Sequence, residues 1–320
     1  MPLKVVCPST LIPGSKILWV GESPGREECA ERRGFVGPAG RVLQRACRLA
    51  GLEWDQQSLS NVVKRPPDGG YDSNHFRSTF YETKEVSLTT KTGKISKKTR
   101  RVTTETAELQ EAVGELAREV HSLNPNVVVA VGGEATKWLC GQTAVPKIPW
   151  GPAAILKWRG SVLESTLVPG QKVIPVVHPS YVQRGQWSEF WPLVWDLKKV
   201  ARQSVFPGIV REPYESIIID SAADLVAIIP EIKDRWCLDI ETRGGSIACI
   251  GLGYRGSDTW TGVCIPIQTT RGPRFPLPVE QQIWQLLDGL FKTNPLLVGQ
   301  NIVYDLDYMK DYGIRPSGIY

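Results

Sequence analysis

Lys16-Ile-Leu-Trp-Val-Gly-Glu-Ser-Pro-Gly25 is the stretch on which the architecture turns. Its apolar run shows no polar alternation and ends in a Gly/Pro turn, so Lys16–Gly21 reads as a buried strand. Working outward, Pro38–Ala50 reads as a helix, with Val42, Leu43, Ala46, Leu49 and Ala50 at near-helical spacing. Leu59–Val63 is a second strand. Glu105–Ser122 is a helix with Leu109, Val113, Leu116 and Val120 on one face, ended by Asn124-Pro125. Val127–Val131 (VVVAV) and Lys172–Val177 are further strands, and Gly132-Gly133 turns into a helix over Ala135–Cys140. Repeated strand–helix units predict a parallel sheet covered on both faces, a three-layer αβα arrangement.

The rhythm breaks over about 68–104, an insertion rich in Thr, Lys and Arg, with Lys91-Thr-Gly-Lys94 as a hairpin turn. The insertion reads equally as a solvated patch or as a phosphate contact. Residues 1–204 are taken as one domain, 205–214 as a linker and 215–320 as a second domain. That second part changes style. Trp236–Thr242, Ser246–Tyr254 and Thr259–Ile267 read as an antiparallel meander. A helix over Val279–Lys292, a short strand at Leu296–Gly299 and a helix over Ile302–Tyr312 follow.

Within the 320 residues the charge is uneven. Residues 1–204 carry 28 Lys and Arg against 19 Asp and Glu, a balance of +9, whereas 205–320 carry 10 against 14, or −4. A basic front half points to a polyanion, most simply nucleic acid. The apolar runs are too short to span a bilayer and the start lacks the pattern of a secretory signal. The seven cysteines contain no C-x-x-C pair, which argues against a disulfide framework or a zinc knuckle. A monomer in a reducing, cytoplasmic setting, with no membrane partner, is expected.

Four pieces of the first half fall where a parallel sheet gathers its ligand at the carboxyl edge. They are Gly21-Glu-Ser-Pro-Gly25, Gly34-Phe-Val-Gly37, Asn61-Val-Val-Lys-Arg-Pro-Pro67 and His178-Pro-Ser180. In this order, with Gly132-Gly-Glu-Ala-Thr136 and Arg159-Gly160 between them, they resemble the uracil-DNA glycosylase superfamily, most closely its family 4, over roughly residues 15–200. The resemblance implies extrusion of a base and cleavage of its bond to deoxyribose. It assigns Phe35 to stacking and Asn61 to reading the uracil edge, an amide that suits uracil and rejects cytosine. It gives His178 an oxyanion-hole role, and places Glu22 and Glu28 near the sugar. Pro24 and Gly25 shape the loop against the flanking phosphate. Ser180 and Tyr181 begin the strand-invading loop, and Arg184 lies within reach of phosphate. Ser23 stands where another branch has a water-activating Asp. The family's iron–sulfur cluster is not expected here. Lys64 is followed directly by Arg65 with no cysteine between, Cys7 stands alone, and the insertion replaces the cluster-bearing region.

In the second half, Asp239 and Glu241 sit at i and i+2 of a strand, so both point to one face, and Asn301 and Asp305 follow. This pattern resembles the DEDD-type 3′–5′ exonucleases, the proofreading domain of family A DNA polymerases, with an RNase H-like fold. The resemblance implies Mg²⁺ or Mn²⁺ held by Asp239, Glu241 and Asp305, with Asn301 on the substrate. The third motif of that family does not occur before Tyr320, so an incomplete exonuclease with little activity is expected. The two resemblances together suggest the N-terminal part of a phage DNA polymerase, with DNA and the rest of that chain as partners. The rivals are a module that holds uracil-containing or single-stranded DNA without cleaving it, and a purely structural module. Trp187, Trp191 and Trp195 recur every four residues. They read first as a stripe buried against the sheet or the second domain, and alternatively as a platform for DNA bases.

Overall fold

The Ile17–Gly21 run forms β1, a central strand whose five residues are all buried. In the computed structural model, which describes residues 6–71, 73–89, 95–141, 152–233, 235–293 and 296–315, the chain divides into two units, Met1–Ile209 and Val210–Tyr320. In the first unit β1 is followed by α1 (Arg26–Glu31) and α2 (Pro38–Leu49), then by β2 (Ser58–Asn61). After α3 (Ser73–Phe80), β3 (Tyr81–Thr89) and β4 (Ile95–Glu105) form a separate antiparallel hairpin, the inserted segment. The Lys91–Lys94 turn expected for it lies outside the described residues. Next come α4 (Ala107–Leu123), β5 (Val127–Val131), α5 (Gly133–Cys140), α6 (Pro152–Trp158), β6 (Leu163–Glu164) and β7 (Lys172–Val176). The unit ends in α7 (Pro179–Gln183) and α8 (Phe190–Gln203).

The sheet order is β2-β1-β5-β7-β6. The β2–β1, β1–β5 and β5–β7 pairs are parallel, and only the two-residue edge strand β6 runs antiparallel. Alternate β1 side chains feed two cores. Ile17 and Trp19 pack with Leu43 of α2 and Leu193 and Leu197 of α8. Leu18 and Val20 pack with Leu109 and Leu116 of α4 and Leu139 of α5. Three layers follow from this, since a strand apolar on both faces needs helices on both. The chain passes from β1 to β2 on one side and then crosses to β5 on the other. The space above the carboxyl ends of β1 and β5 is therefore a topological switch point, where α/β sheets open a crevice.

The short helices α1, α3, α6 and α7 have too few turns to show a periodic stripe, and none was read from the sequence. Trp187, Trp191 and Trp195 are not buried against the first sheet as expected: they are 52%, 56% and 63% exposed and lie outside the first unit's core. The buried face of α8 is Phe190, Leu193, Val194, Leu197 and Val200, at helical spacing; Trp191 and Trp195 lie on the opposite face, and Trp187 sits in the turn before the helix.

The second unit has its own core and sheet. Its elements are β8 (Tyr214–Ile218), α9 (Ala222–Ile228), β9 (Trp236–Arg243), β10 (Ser246–Arg255), β11 (Trp260–Pro266), the short β12 (Gln268–Thr269) and β13 (Gly272–Pro273), α10 (Leu277–Thr293), β14 (Leu297–Val298) and α11 (Ile302–Asp311). The sheet order is β14-β9-β10-β11-β8, with β9, β10 and β11 antiparallel as the sequence suggests. β8 begins at Tyr214, inside the expected linker. It is an edge strand with mostly exposed side chains, so it carries no apolar alternation to announce it. Along β9, Trp236, Leu238 and Ile240 point inward while Asp239 and Glu241 share the exposed face. Among the described residues no helix is long and apolar enough to cross a membrane.

Candidate active site

A cavity of about 840 Å³ opens at the switch point of the first sheet. Each strand end contributes to it: Gly21–Glu28 after β1, Asn61 at the end of β2, Gly132–Lys137 after β5 and Val177–Arg184 after β7. Glu22, Ser23, Pro24, Gly25, Glu28, Phe35, Asn61, His178 and Ser180 all line it. Parallel strands bring these distant segments together because their carboxyl ends share one edge.

Asn61 pairs with Gly21 in the β1–β2 ladder and is buried. A Cβ on Gly21 would overlap Asn61 Oδ1 and stand 3.1 Å from Phe35 Cζ, so the bare backbone at this position lets the amide and the ring share the cavity wall. Lys64 fixes Asn61 from behind. Its Nζ donates to the Asn61 carbonyl (2.7 Å), to Ser60 Oγ (3.0 Å) and to Glu119 Oε2 (3.0 Å), and Ser60 Oγ donates to Glu119 Oε2 (2.6 Å). This buried pair is the kind that persists only when every lone pair and proton is used. Ser9 Oγ donates to Ser60 Oγ (3.0 Å) and the Cys7 amide donates to the Lys64 carbonyl (2.8 Å), which ties the leading segment to the same network.

Phe35 holds a left-handed backbone (φ 56°), unusual for a bulky side chain and typical of functional loops. Gln44 Nε2 on α2 donates to its carbonyl (2.9 Å), and Trp54 meets its ring edge-on at 6.0 Å. These contacts hold the turn while the ring faces the cavity.

His178 precedes α7. Its Nδ1 accepts the Ser180 N–H (3.2 Å) and lies 2.7 Å from Ser180 Oγ. With Nδ1 engaged as an acceptor, the ring proton belongs on Nε2. Burial, and then the positive charge of Arg184, push its pKa down to about 4, so the ring is a neutral N–H donor at physiological pH. Gly132, at φ 92°, passes close enough that a Cβ would stand 3.1 Å from His178 Cβ, and it braces the imidazole.

Glu28 has a different environment from Glu22. Its Oε1 accepts the Gly37 N–H at the start of α2 (2.8 Å), and a Cβ on Gly25 would overlap its other oxygen. The carboxylate staples the Gly21–Gly25 loop to the Gly34–Gly37 turn.

Sequence reasoning did not single out Arg26, Tyr71, Arg77, Glu134 and Lys137, which also line the cavity. Buried Glu134 takes Arg77 (3.3 Å) and the Tyr81 hydroxyl (3.3 Å), and Lys137 Nζ donates to that hydroxyl (2.7 Å). Burial and Glu134 raise the Tyr81 pKa. Tyr71, Arg77 and Tyr81 come from the insertion and carry no motif. The one available signal was their place between two motif-bearing strands.

In the second unit, Asp305 is buried and its Oδ1 accepts the Ile240 N–H (2.8 Å), a donor that lies beyond the last β14 pairing at Cys237. Asn301 caps α11 in a left-handed conformation (φ 52°). Among the described residues no three His, Cys, Asp or Glu side chains stand together at metal-ligand spacing. One Asp305 oxygen is engaged by the backbone, which leaves its second oxygen as the one for the Mg²⁺ or Mn²⁺ that the exonuclease resemblance implies.

The first unit is an α/β domain with a cavity at its switch point, walled by an aromatic ring, an amide and a neutral imidazole, a lining whose shape and polarity suit a flat, polar heterocycle. The uracil DNA glycosylase superfamily model matches residues 8–198, and the chain belongs to that superfamily. It is 30% identical over 184 residues to a type-4 uracil-DNA glycosylase of Thermotoga maritima, covering 56% of this chain and 72% of that enzyme. A type-4 enzyme of Archaeoglobus fulgidus is 25% identical over 173 residues, 52% of this chain and 67% of its own. The DNA polymerase of Bacillus phage SP01 is 22% identical over 169 residues, 52% of this chain but 14% of that polymerase.

The residues do not fit the iron–sulfur cluster that the family 4 resemblance implies. Cys7 is buried and the Lys64-Arg65 segment offers no cysteine, so the thiolates such a cluster needs are not gathered around it. Arg65, in the segment where the family has its cysteine, instead forms a two-pronged pair with Glu108 and lies over the Phe80 ring at 4.6 Å.

Proposed function

We propose that the first unit is a monofunctional uracil-DNA glycosylase that takes an extruded deoxyuridine and leaves an abasic site. The observation that carries this reading is the gathering of Phe35, Asn61 and a donor-form His178 in one cavity at the sheet's carboxyl edge. Phe35 stacks on the base. The Asn61 amide donates to a uracil carbonyl and accepts the ring N3–H, a pattern that cytosine reverses. As the C1′–N1 bond breaks, its electron pair passes to the base and negative charge gathers on the uracil oxygen. His178 Nε2–H donates to that oxygen without having to lose charge or gain a proton. Water adds to C1′, and its proton passes through solvent to the departing uracil anion. Glu22 faces the developing positive charge on the sugar and Ser23 positions the water, while Glu28 holds the loop that carries both. A serine is a weak base, so most of the rate comes from stabilising the departing base.

The match to a phage polymerase favours a setting within a longer replicative chain. In that setting residues 1–204 inspect DNA and 215–320 form part of a proofreading-type domain. The test is a uracil-containing oligonucleotide incubated with the protein and then treated with alkali. Scission that is lost in Asn61→Ala and His178→Ala is the expected result. Tight binding without scission would favour the non-cleaving module, and absence of any preference for uracil would sink both.

A further inference from the structure

The exposed tryptophans form a row that neither the cavity nor the core uses. Trp187, Trp191 and Trp195 are more than half exposed, and the same face of α8 continues with exposed Lys198 and Arg202. Phe190, buried beneath, holds Trp187 and Trp191 by ring contacts at 6.1 Å and 5.8 Å, so the two indoles are braced. The Arg45 guanidinium lies over the same Phe190 ring at 5.3 Å. The acid within the row's reach in sequence, Asp196, is turned inward to Arg159 (2.9 Å), and Glu189 is half-buried. An aromatic row flanked by cations complements a polyanion that also offers flat faces, and it suits an apolar protein partner poorly.

We infer that this row is a stacking track for single-stranded DNA running away from the base cavity. Spacing supports the single strand. Trp191 and Trp195, four helical residues apart, are offset by about 6 Å along α8, wider than the rise of about 3.4 Å between stacked bases in a duplex strand, so these two indoles meet bases that have come apart. Continuity supports the direction. Tyr181 and Arg184, on and just after α7, line the cavity, α7 packs against the turn carrying Trp187, and the row begins three residues beyond Arg184. Only this direction rests on the glycosylase reading; the track itself stands without it.

The experiment measures anisotropy of fluorescein-labelled oligo(dT) and of a uracil-free duplex of equal length. The wild-type chain is compared with Trp191→Ala/Trp195→Ala, with Trp191→Phe/Trp195→Phe and with Lys198→Ala/Arg202→Ala. The expected result is a loss of at least tenfold in oligo(dT) affinity in the alanine pair, recovery in the phenylalanine pair, and little change on duplex. The Lys198/Arg202 pair should lower the salt dependence. Uracil release from a tetranucleotide, too short to reach the row, should be unchanged in the Trp variants. Failure of that release in the wild type would refute the glycosylase reading and leave the anisotropy result to decide the track. Oligo(dT) affinity within twofold of wild type in the alanine pair would overturn the track. So would equal losses on duplex, or a dimer in solution that the alanine pair abolishes.

Discussion

Replacing Gly21 by alanine places a methyl group between the two residues proposed to recognise the base. The backbone there accepts an L side chain. The added Cβ would lie about 1 Å closer to Asn61 Oδ1 than the 3.4 Å at which ordinary contact begins, and 3.1 Å from Phe35 Cζ. The cheapest relief is rotation of the Asn61 amide, since an amide tip moves more easily than a packed ring. A displacement of about 1 Å at a positioning group costs on the order of 100-fold in rate, or about 2.7 kcal/mol. Stability should fall by only about 1 kcal/mol, a melting shift of about 2–4 °C. Single-turnover uracil release, followed by alkaline scission, reads the first quantity, and a thermal melt reads the second. In an Asn61→Ala background the clash is gone, so Gly21→Ala should cost almost nothing further. The reasoning fails if Gly21→Ala keeps activity within threefold, if the two losses add, or if the melt collapses along with the activity.

Five further outcomes follow from the two units. His178 has its pKa lowered from 6.5 to about 4, so its contribution to stability is full above pH 6.5 and is lost as pH falls towards 4. Between pH 7 and pH 5 urea denaturation should register a loss of about 2 kcal/mol that His178→Gln abolishes; an unchanged pH slope in the variant would refute the assignment. Lys64→Met strands the buried Glu119 carboxylate and should cost about 3–5 kcal/mol, with Lys64→Met/Glu119→Met recovering part of it. With too few cysteines placed for a cluster, iron chelators should leave the melting temperature unchanged. Asp305→Ala should cost about 1–3 kcal/mol by orphaning the Ile240 N–H while Asp305→Asn costs less. Release of 3′ nucleotides from single-stranded DNA in Mn²⁺ should be negligible, and robust degradation abolished by Asp239→Ala would reverse that view.

Much of the first unit could be read from the chain because buried parallel strands leave an unbroken apolar signature. Ile17–Val20 and Val127–Val131 are such runs, and the turns after them carry the residues that reach the cavity. The edge elements were less legible. β8 exposes most of its side chains and β6 has two residues, so neither shows a period. Glu28 was read as a group near the sugar, but spacing does not reveal that a carboxylate four residues before Arg32 closes on the Gly37 amide. The Trp row shows the limit of periodicity. A spacing of four places three residues on one helix face, yet it does not say whether that face looks inward. Here the competing stripe of Phe190, Leu193, Val194, Leu197 and Val200 is broader and takes the core.

The amino-acid order by itself determined the strand–helix alternation, the basic bias of the first 204 residues and the chemical kinds of side chain at each turn. These are local properties, set by apolar spacing and turn chemistry over a few residues. Only the tertiary structure decided that Phe35, Asn61 and His178 share one cavity, and that Ser180 sets the imidazole tautomer. It also decided that Lys64 and Glu119 anchor the Asn61 backbone, and that Tyr71 and Arg77 of the insertion complete the wall. Those relations depend on which strand ends become neighbours, a choice made by the parallel crossover and by packing on both faces of the sheet.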